Sequence, residues 1–340
     1  MARNTYGLDL GSYEIKIYDH AADLIWKAKS SIAIANKKEV MAIGDEAYEM
    51  FEKVPDEIQV LFPMKEGVIS RFDDMQFLLQ NLLQVGAQFM RGTNYLIAVP
   101  TDVTEVEKKA FFDLFIHSAA KAKEVNIVER SIAEAVGLGL NLARTKGVFI
   151  ANMGGETTEM SVLAEGGIVL NRLMKMGGAH FDQSVITMVK NSQDFLIGRV
   201  TAEHLRRNFD LFSGDTNSTI KVAGRDLISG VPASREIPIA TVRAAMKEPL
   251  ETVVAAMEAL MNRSPSEVLK AIRENGICLT GGIANTNGLA EYISELTALP
   301  VRSAAYPETC SVQGLRKIME SDELTDYAYS MLDAGFKWMR

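Results

Sequence analysis

Two stretches of this chain read as strand, tight glycine turn, strand, and they constrain the fold more than anything else in it. The first is Tyr6-Gly-Leu-Asp-Leu-Gly-Ser-Tyr-Glu-Ile-Lys-Ile-Tyr18. The second is Phe149-Ile-Ala-Asn-Met-Gly-Gly-Glu-Thr-Thr-Glu-Met-Ser-Val-Leu163. In the second, apolar Val148 to Ile150 lead in, Gly154 and Gly155 break the run, and Met160 to Leu163 resume it. Glycine permits backbone conformations that other residues resist, and successive bared N–H groups can cup an anion such as phosphate. Two such hairpins, far apart in the sequence, predict two similar half-molecules that close on one ligand.

The length allows this. At 340 residues the chain exceeds the size at which one core stops growing, so two domains or four subdomains are expected. Strand-like and helix-like segments interleave throughout, which predicts an α/β class. Thr104 with Glu107 predicts a capped helix start, and the apolar stripe of Met75, Leu78, Leu79, Leu82 and Leu83 predicts a helix over 73–90. Pro55 and Pro63 read as punctuation of a loop, the helix after Gly177-Gly178 is expected from Asp182, and a last helix over 325–339. The net charge of −8 at pH 7 argues against a nucleic-acid partner. Two cysteines, Cys278 and Cys310, are too few for a disulfide framework, and four histidines form no zinc pattern. No apolar run reaches the ~18 residues that span a bilayer. With the first strand beginning almost at once, no signal peptide is expected, and a reduced, cytoplasmic setting is.

Six segments, in order, resemble the actin, heat-shock-chaperone and sugar-kinase ATPase superfamily and, within it, the bacterial MreB family of actin-like proteins. Asp9-Leu-Gly11 resembles the first phosphate loop. Val99-Pro-Thr-Asp-Val-Thr-Glu-Val-Glu-Lys-Lys109 resembles the family segment before the linking region. Met153-Gly-Gly-Glu-Thr-Thr-Glu159 with Gly166-Gly-Ile-Val169 resembles the second phosphate loop. Ile197-Gly198 with Thr201-Ala-Glu203 resembles the helix that clamps adenosine, Gly224-Arg-Asp-Leu-Ile-Ser-Gly230 a loop of the second half, and Leu279-Thr-Gly-Gly282 with Gly288-Leu289 the adenosine loop.

The resemblance covers essentially the whole chain and implies an actin-like ATPase fold: two related halves, each a mixed β-sheet flanked by helices, plus smaller subdomains. The implied divisions are 1–31, 67–146 and 312–340 for the first large subdomain and 32–66 for its small one. For the second half they are 147–180 with 250–311, and 181–249. It implies ATP with magnesium, self-association into filaments, a peripheral position at the inner membrane surface, other MreB-like or membrane cell-shape proteins as partners, and a role in cell shape. The implied nucleotide-binding residues are Asp9, Gly11, Ser12, Tyr13, Glu14, Asn152, Gly154, Gly155, Glu156, Thr157, Glu203, Arg206, Gly281, Gly282, Ile283 and Ala284, with Asp9 holding the metal through water. Phe89-Met90 stands where the family commonly places a small apolar membrane loop, and Phe336-Lys-Trp-Met-Arg340 combines aromatic and basic residues suited to a membrane interface.

The departures from the family pattern fall on the chemistry. The metal-shell Asp of the second loop is Asn152, its third glycine is Glu156, and a later family acid is Ala179. The first loop carries Glu14, a second carboxylate near the expected phosphates. The Glu that orients the attacking water is Arg130, which has no acceptor to offer. Glu129, one residue away, is expected to point elsewhere. Ile283 replaces a third glycine and is expected to narrow the base pocket, and Lys16 is a candidate phosphate contact. The expected protein is therefore a divergent MreB-like filament protein with impaired hydrolysis. Two other readings stay open: an active magnesium ATPase that uses Glu156 or Glu14 as substitute acids, and a non-polymerising adaptor like the related PilM and FtsA proteins.

Overall fold

A computed structural model describes residues 5–36, 39–84, 92–116, 122–212, 214–215 and 217–332. In chain order the first stretch forms β1 (Thr5–Leu10), β2 (Glu14–Asp19), β3 (Leu24–Lys29), β4 (Ile32–Ala35), β5 (Glu39–Ile43), α1 (Gly44–Met50), β6 (Ile58–Leu61), β7 (Met64–Lys65), β8 (Val68–Ile69), α2 (Phe72–Gln84), β9 (Asn94–Val99), α3 (Glu105–Ile116), β10 (Glu124–Glu129) and α4 (Arg130–Gly137). The second forms β11 (Val148–Met153), β12 (Thr158–Ala164), β13 (Gly167–Met174), α5 (Gly178–Gln193), β14 (Phe195–Leu196), α6 (Arg199–Asn208), β15 (Thr219–Asp226), β16 (Pro232–Pro238), α7 (Ile239–Met261), α8 (Ser266–Asn275), β17 (Ile277–Thr280), α9 (Leu289–Thr297) and β18 (Val301–Ser303), followed by α10 (Cys310–Glu320). Two units result. One comprises residues 1–145, 163–173 and 308–340, the other 146–162 and 174–307.

In the first unit the main sheet runs β10-β9-β1-β2-β3. β1 pairs antiparallel with β2 and parallel with β9. Its residues alternate between two faces, as a pleated strand requires. Tyr6, Leu8 and Leu10 join the core with Met75, Leu78 and Phe111. Gly7 and Asp9 face the other way: a methyl group on Gly7 would lie 3.2 Å from Leu315 Cβ, and Asp9 bonds Ser311, one turn before Leu315 on α10. The sheet pattern thus delivers one carboxylate to a helix-covered face. On that face α4 and α10 cross at near backbone contact. A methyl group on Gly314 would lie 1.7 Å from the Ala133 carbonyl oxygen, and one on Gly137 2.1 Å from that of Cys310.

In the second unit β12, β11, β17 and β18 lie side by side in that order, with β11–β17 and β17–β18 parallel. β11 is central and almost wholly buried, which explains its unbroken apolar run. A smaller antiparallel sheet is formed by β14, β15 and β16 in that order. The capping box is present: Glu107 N–H donates to Thr104 Oγ1 (3.2 Å), and Thr104 N–H to Glu107 Oε2 (2.7 Å).

Three expectations need correction, and one further strand is present. The stretch between Pro55 and Pro63 contains strand β6, which pairs with β4; its backbone N–H groups are free to bond because both prolines flank it. β3 also forms, as the partner that completes the β2 edge. α5 begins at Gly178 rather than Asp182, because Gly178 and Ala179 donate their N–H groups to the carbonyls of Gly154 and Gly155 (3.0 and 2.7 Å). The 325–339 segment does not continue as one helix. A single 3-10 turn at Thr325–Tyr327 is followed by an antiparallel bridge between Tyr329 and Ile127. The ends of the helices expected to Met90 and Lys121, and Phe89, Met90 and Phe336–Arg340, lie outside the described residues.

The helix crossing yields a direct test. Gly314→Ala forces apart two backbones in contact and should lower stability by roughly 1–3 kcal/mol or more in urea unfolding. An unchanged midpoint would contradict the close approach of α4 and α10.

Candidate functional site

The first loop is the turn between β1 and β2. Gly11 has no room for a side chain, since a methyl group there would sit 2.7 Å from the Glu14 carbonyl oxygen. The residues after it are anchored within their own unit. Ser12 Oγ accepts the Gly67 N–H (3.0 Å), and the Tyr13 ring carries Lys29 Nζ over its face at 4.1 Å. Glu14 is buried, and its carboxylate is bound by Lys29 at 2.8 Å and Lys27 at 3.5 Å. The second carboxylate of this loop is therefore charge-paired. Lys16 Nζ donates to the Glu14 carbonyl (3.3 Å).

Asp9 is 5% exposed and has both oxygens engaged. Arg130 Nε donates to Oδ1 (3.1 Å), and Ser311 Oγ donates to Oδ2 (2.6 Å). Arg130, itself 7% exposed, also donates from Nη2 to the Leu10 carbonyl (3.2 Å). Burial alone would raise the Asp9 carboxyl, but Arg130, Lys16 and the Ser311 hydroxyl outweigh it and hold it below the ordinary carboxylate range. Arg130 reaches Asp9 because β10 ends at Glu129 and α4 starts at Arg130. Glu129 turns elsewhere, as expected: Oε1 accepts from Lys108 Nζ (2.7 Å) and the Tyr329 hydroxyl (3.0 Å).

The second loop is built from backbone packed on backbone. Gly154 N–H closes the turn onto the Thr157 carbonyl (2.8 Å), and the start of α5 docks on the Gly154 and Gly155 carbonyls. A methyl group on Gly177 would lie 2.6 Å from the Gly154 carbonyl oxygen, and one on Gly281 2.5 Å from that of Met153 and 2.6 Å from Asn152 Oδ1. Gly281 also has φ +81°, in the left-handed region that favours glycine. Asn152 is thereby set between the 154–157 turn and the 281–285 turn. Ile283 is buried, with Cδ1 3.3 Å from where a Gly178 methyl would be, so it packs under the start of α5. Ala284 is buried beside it.

Glu203 and Arg206 are both buried on α6. Arg206 Nε donates to Asp182 Oδ1 at 2.7 Å, and Glu203 pairs with Arg207 at 2.8 Å. Burial pushes the Asp182 carboxyl up, against the opposing pull of Arg206. This pair ties α6 to α5 one turn after Gly178, next to the second loop. Asp182 and Ser311 are the site residues that sequence reasoning missed. Neither carries a local signal: Ser311 is 302 positions from Asp9.

Magnesium favours charged oxygen ligands. Among the described residues no group of three or more His, Cys, Asp and Glu side chains is placed to hold a metal ion. Asn152 offers only an amide oxygen, and both Asp9 oxygens are taken. These residues do not fit a metal held through Asp9, and no step below is routed through one.

A model of the MreB/Mbl protein family matches residues 3–326. The chain belongs to the MreB/Mbl family. Cell shape-determining protein MreB of Escherichia coli K12 is 33% identical over 329 residues, covering 94% of each chain. Cell shape-determining protein Mbl of Bacillus subtilis 168 is 30% identical over 320 residues, 93% of this chain and 95% of that one. Among solved structures, MreB5 of Spiroplasma citri bound to ADP superposes with a TM-score of 0.88 at 26% identity, covering 94% of this chain and 97% of its own. A MamK double helical filament structure, at 18% identity and a TM-score of 0.76, shares the fold. The fold is the actin-like one that the sequence predicts.

Within this MreB/Mbl chain, Asp9 and Arg130 form the pair whose loss is most readable. Arg130→Met leaves a buried carboxylate with Ser311 and Lys16 alone, and should cost about 3–5 kcal/mol in urea unfolding. The pH dependence has a definite sign. Asp9 has a folded pKa below its unfolded value, so its contribution is complete at neutral pH and is lost as pH falls through the lowered folded value. The stability difference between wild type and Asp9→Asn should be flat near neutrality and shrink only below about pH 4. A difference that already falls between neutrality and that point would contradict the lowered value.

Proposed function

We propose that this chain is a nucleotide-binding cytoskeletal protein that self-associates into filaments, acts in cell shape and hydrolyses nucleotide slowly. The observation that carries the nucleotide reading is the glycine-packed second loop. Its shape depends on positions 177 and 281, where a Cβ does not fit, and successive backbone N–H groups of such a turn can meet a phosphate. The relatives support the class of ligand: the MreB5 structures of Spiroplasma citri hold ADP in one case and AMPPNP in the other. The binding residues of the resemblance, Asp9 to Glu14, Asn152 to Thr157, Glu203, Arg206 and Gly281 to Ala284, carry over as part of this proposal. Arg206 enters it as a positioning residue, because its guanidinium is engaged with Asp182. The four-subdomain division with small subdomains at 32–66 and 181–249 belongs to the same reading.

Slow hydrolysis follows from Arg130. Orienting water for attack needs an acceptor, and a guanidinium has five donors and none. Loss of a group in that role typically costs about 10²–10⁴ in rate. Glu14, one of the two candidate substitutes, is bound by lysines. Self-association and the cell-shape role rest on the named relatives, Cell shape-determining proteins MreB and Mbl. The setting we propose is cytoplasmic, at the inner face of the membrane, with MreB-like and membrane cell-shape proteins as further partners. Among the described residues no helix is long and apolar enough to cross a membrane.

Phosphate release measured beside Escherichia coli MreB should run at least about tenfold slower for this chain, and equal turnover would refute impaired hydrolysis. Sedimentation with nucleotide should pellet the protein. Failure to pellet over a range of salt and protein concentrations would favour a non-polymerising adaptor.

A further inference from the structure

We propose that the Arg130 guanidinium does at Asp9 what a divalent cation would otherwise do, so that this chain takes nucleotide without magnesium. The inference rests on the nucleotide reading above.

Asp9 is a buried carboxylate at the loop end of β1, and such a group needs a cation or several donors close by. Here the need is met within the chain. Arg130 holds Oδ1 at 3.1 Å and Ser311 holds Oδ2 at 2.6 Å. A guanidinium does not lose its proton in a protein, so this charge is permanent. Arg130 is locked in place by a further bond to the Leu10 carbonyl, 3.2 Å away, and by its position at the first turn of α4. A divalent ion arriving at Asp9 would have to break a buried pair and then sit beside the displaced positive charge.

The rest of the loop has the same sign. Glu14, the other carboxylate, is matched by Lys29 and Lys27, and Lys16 lies close enough to lower the Asp9 carboxyl further. Four cations therefore stand at the β1–β2 turn against three carboxylates, since Lys27 also binds Glu308 at 2.7 Å. In the second unit the loop presents the neutral amide of Asn152, with Oδ1 set against the Gly281 turn. A nucleotide polyphosphate without its metal carries more negative charge than its magnesium complex. A loop whose buried carboxylate already holds a fixed cation favours the metal-free form.

The test is a fluorescent-ADP titration of the full chain in excess magnesium and in excess chelator, for wild type, Arg130→Gln and Arg130→Lys. Wild type should bind in chelator at least as tightly as in magnesium, and Arg130→Lys, which keeps the charge, should behave the same way. Arg130→Gln frees Asp9 and should bind at least about tenfold more tightly with magnesium than without it. Wild-type binding that tightens by that factor on adding magnesium would overturn the inference while leaving the nucleotide reading intact. Absence of ADP binding in both buffers would reject the nucleotide reading instead. Manganese uptake, followed by electron paramagnetic resonance without nucleotide, then decides the inference by itself. Uptake confined to Arg130→Gln supports it, and uptake by wild type, or equal behaviour of the two proteins, overturns it.

Discussion

A carboxylate buried at the end of a central strand has to be paired, and in this chain the pairing of Asp9 with Arg130 organises the first unit. Asp9 faces away from the apolar core because β1 alternates, with Tyr6, Leu8 and Leu10 committed to the other side. Its partners come from the two helices, α4 and α10, that cover this face of the sheet. Arg130 begins α4 and Ser311 lies in the first turn of α10. The glycines at 137 and 314 let those helices approach until backbone meets backbone. The ion pair and the glycine crossing therefore depend on each other: the crossing brings Ser311 within 2.6 Å of Asp9, and the pair fixes the helix that carries Arg130.

The second unit solves a different problem, that of packing one tight turn against a second turn and a helix start. Its answer is steric. The carbonyl groups of Met153, Gly154 and Gly155 are met by glycines or by N–H groups from α5 and from the 281 turn. The charges of α6 are spent on structure: Arg206 secures Asp182 on α5, and Glu203 is held by Arg207. The two units thus differ in character. One pairs charges around its turn, the other packs its turn backbone on backbone, and the substitutions Arg130 and Asn152 fall one in each.

Much of this was legible in the sequence, for physical reasons that can be named. The two strand–glycine–strand stretches were readable because buried strands and their turns are local patterns, and the observed β1, β2, β11 and β12 lie where those patterns put them. The Thr104–Glu107 cap was readable for the same reason. What escaped was set by distance in sequence. Nothing near Asp9 points to Ser311, and nothing near Arg206 points to Asp182. β6 was hidden by its flanking prolines, though both lie outside the strand itself. The 325–330 stretch, Thr-Asp-Tyr-Ala-Tyr-Ser, is poor in helix formers, and the sheet edge at Ile127 captures Tyr329 as a bridge partner. Glu14 and Ile283 were identified as departures by position alone. Their roles became clear only with Lys29 and Gly178 beside them.

The central claim is that the counter-ion of Asp9 is a side chain. Carbon NMR of the Asp9 side-chain carboxyl, in the nucleotide-free protein with and without magnesium, tests it most directly. The account predicts an ionised resonance down to unusually low pH that does not move when magnesium is added. A resonance that titrates in the ordinary carboxylate range, or that shifts on adding magnesium, would contradict it.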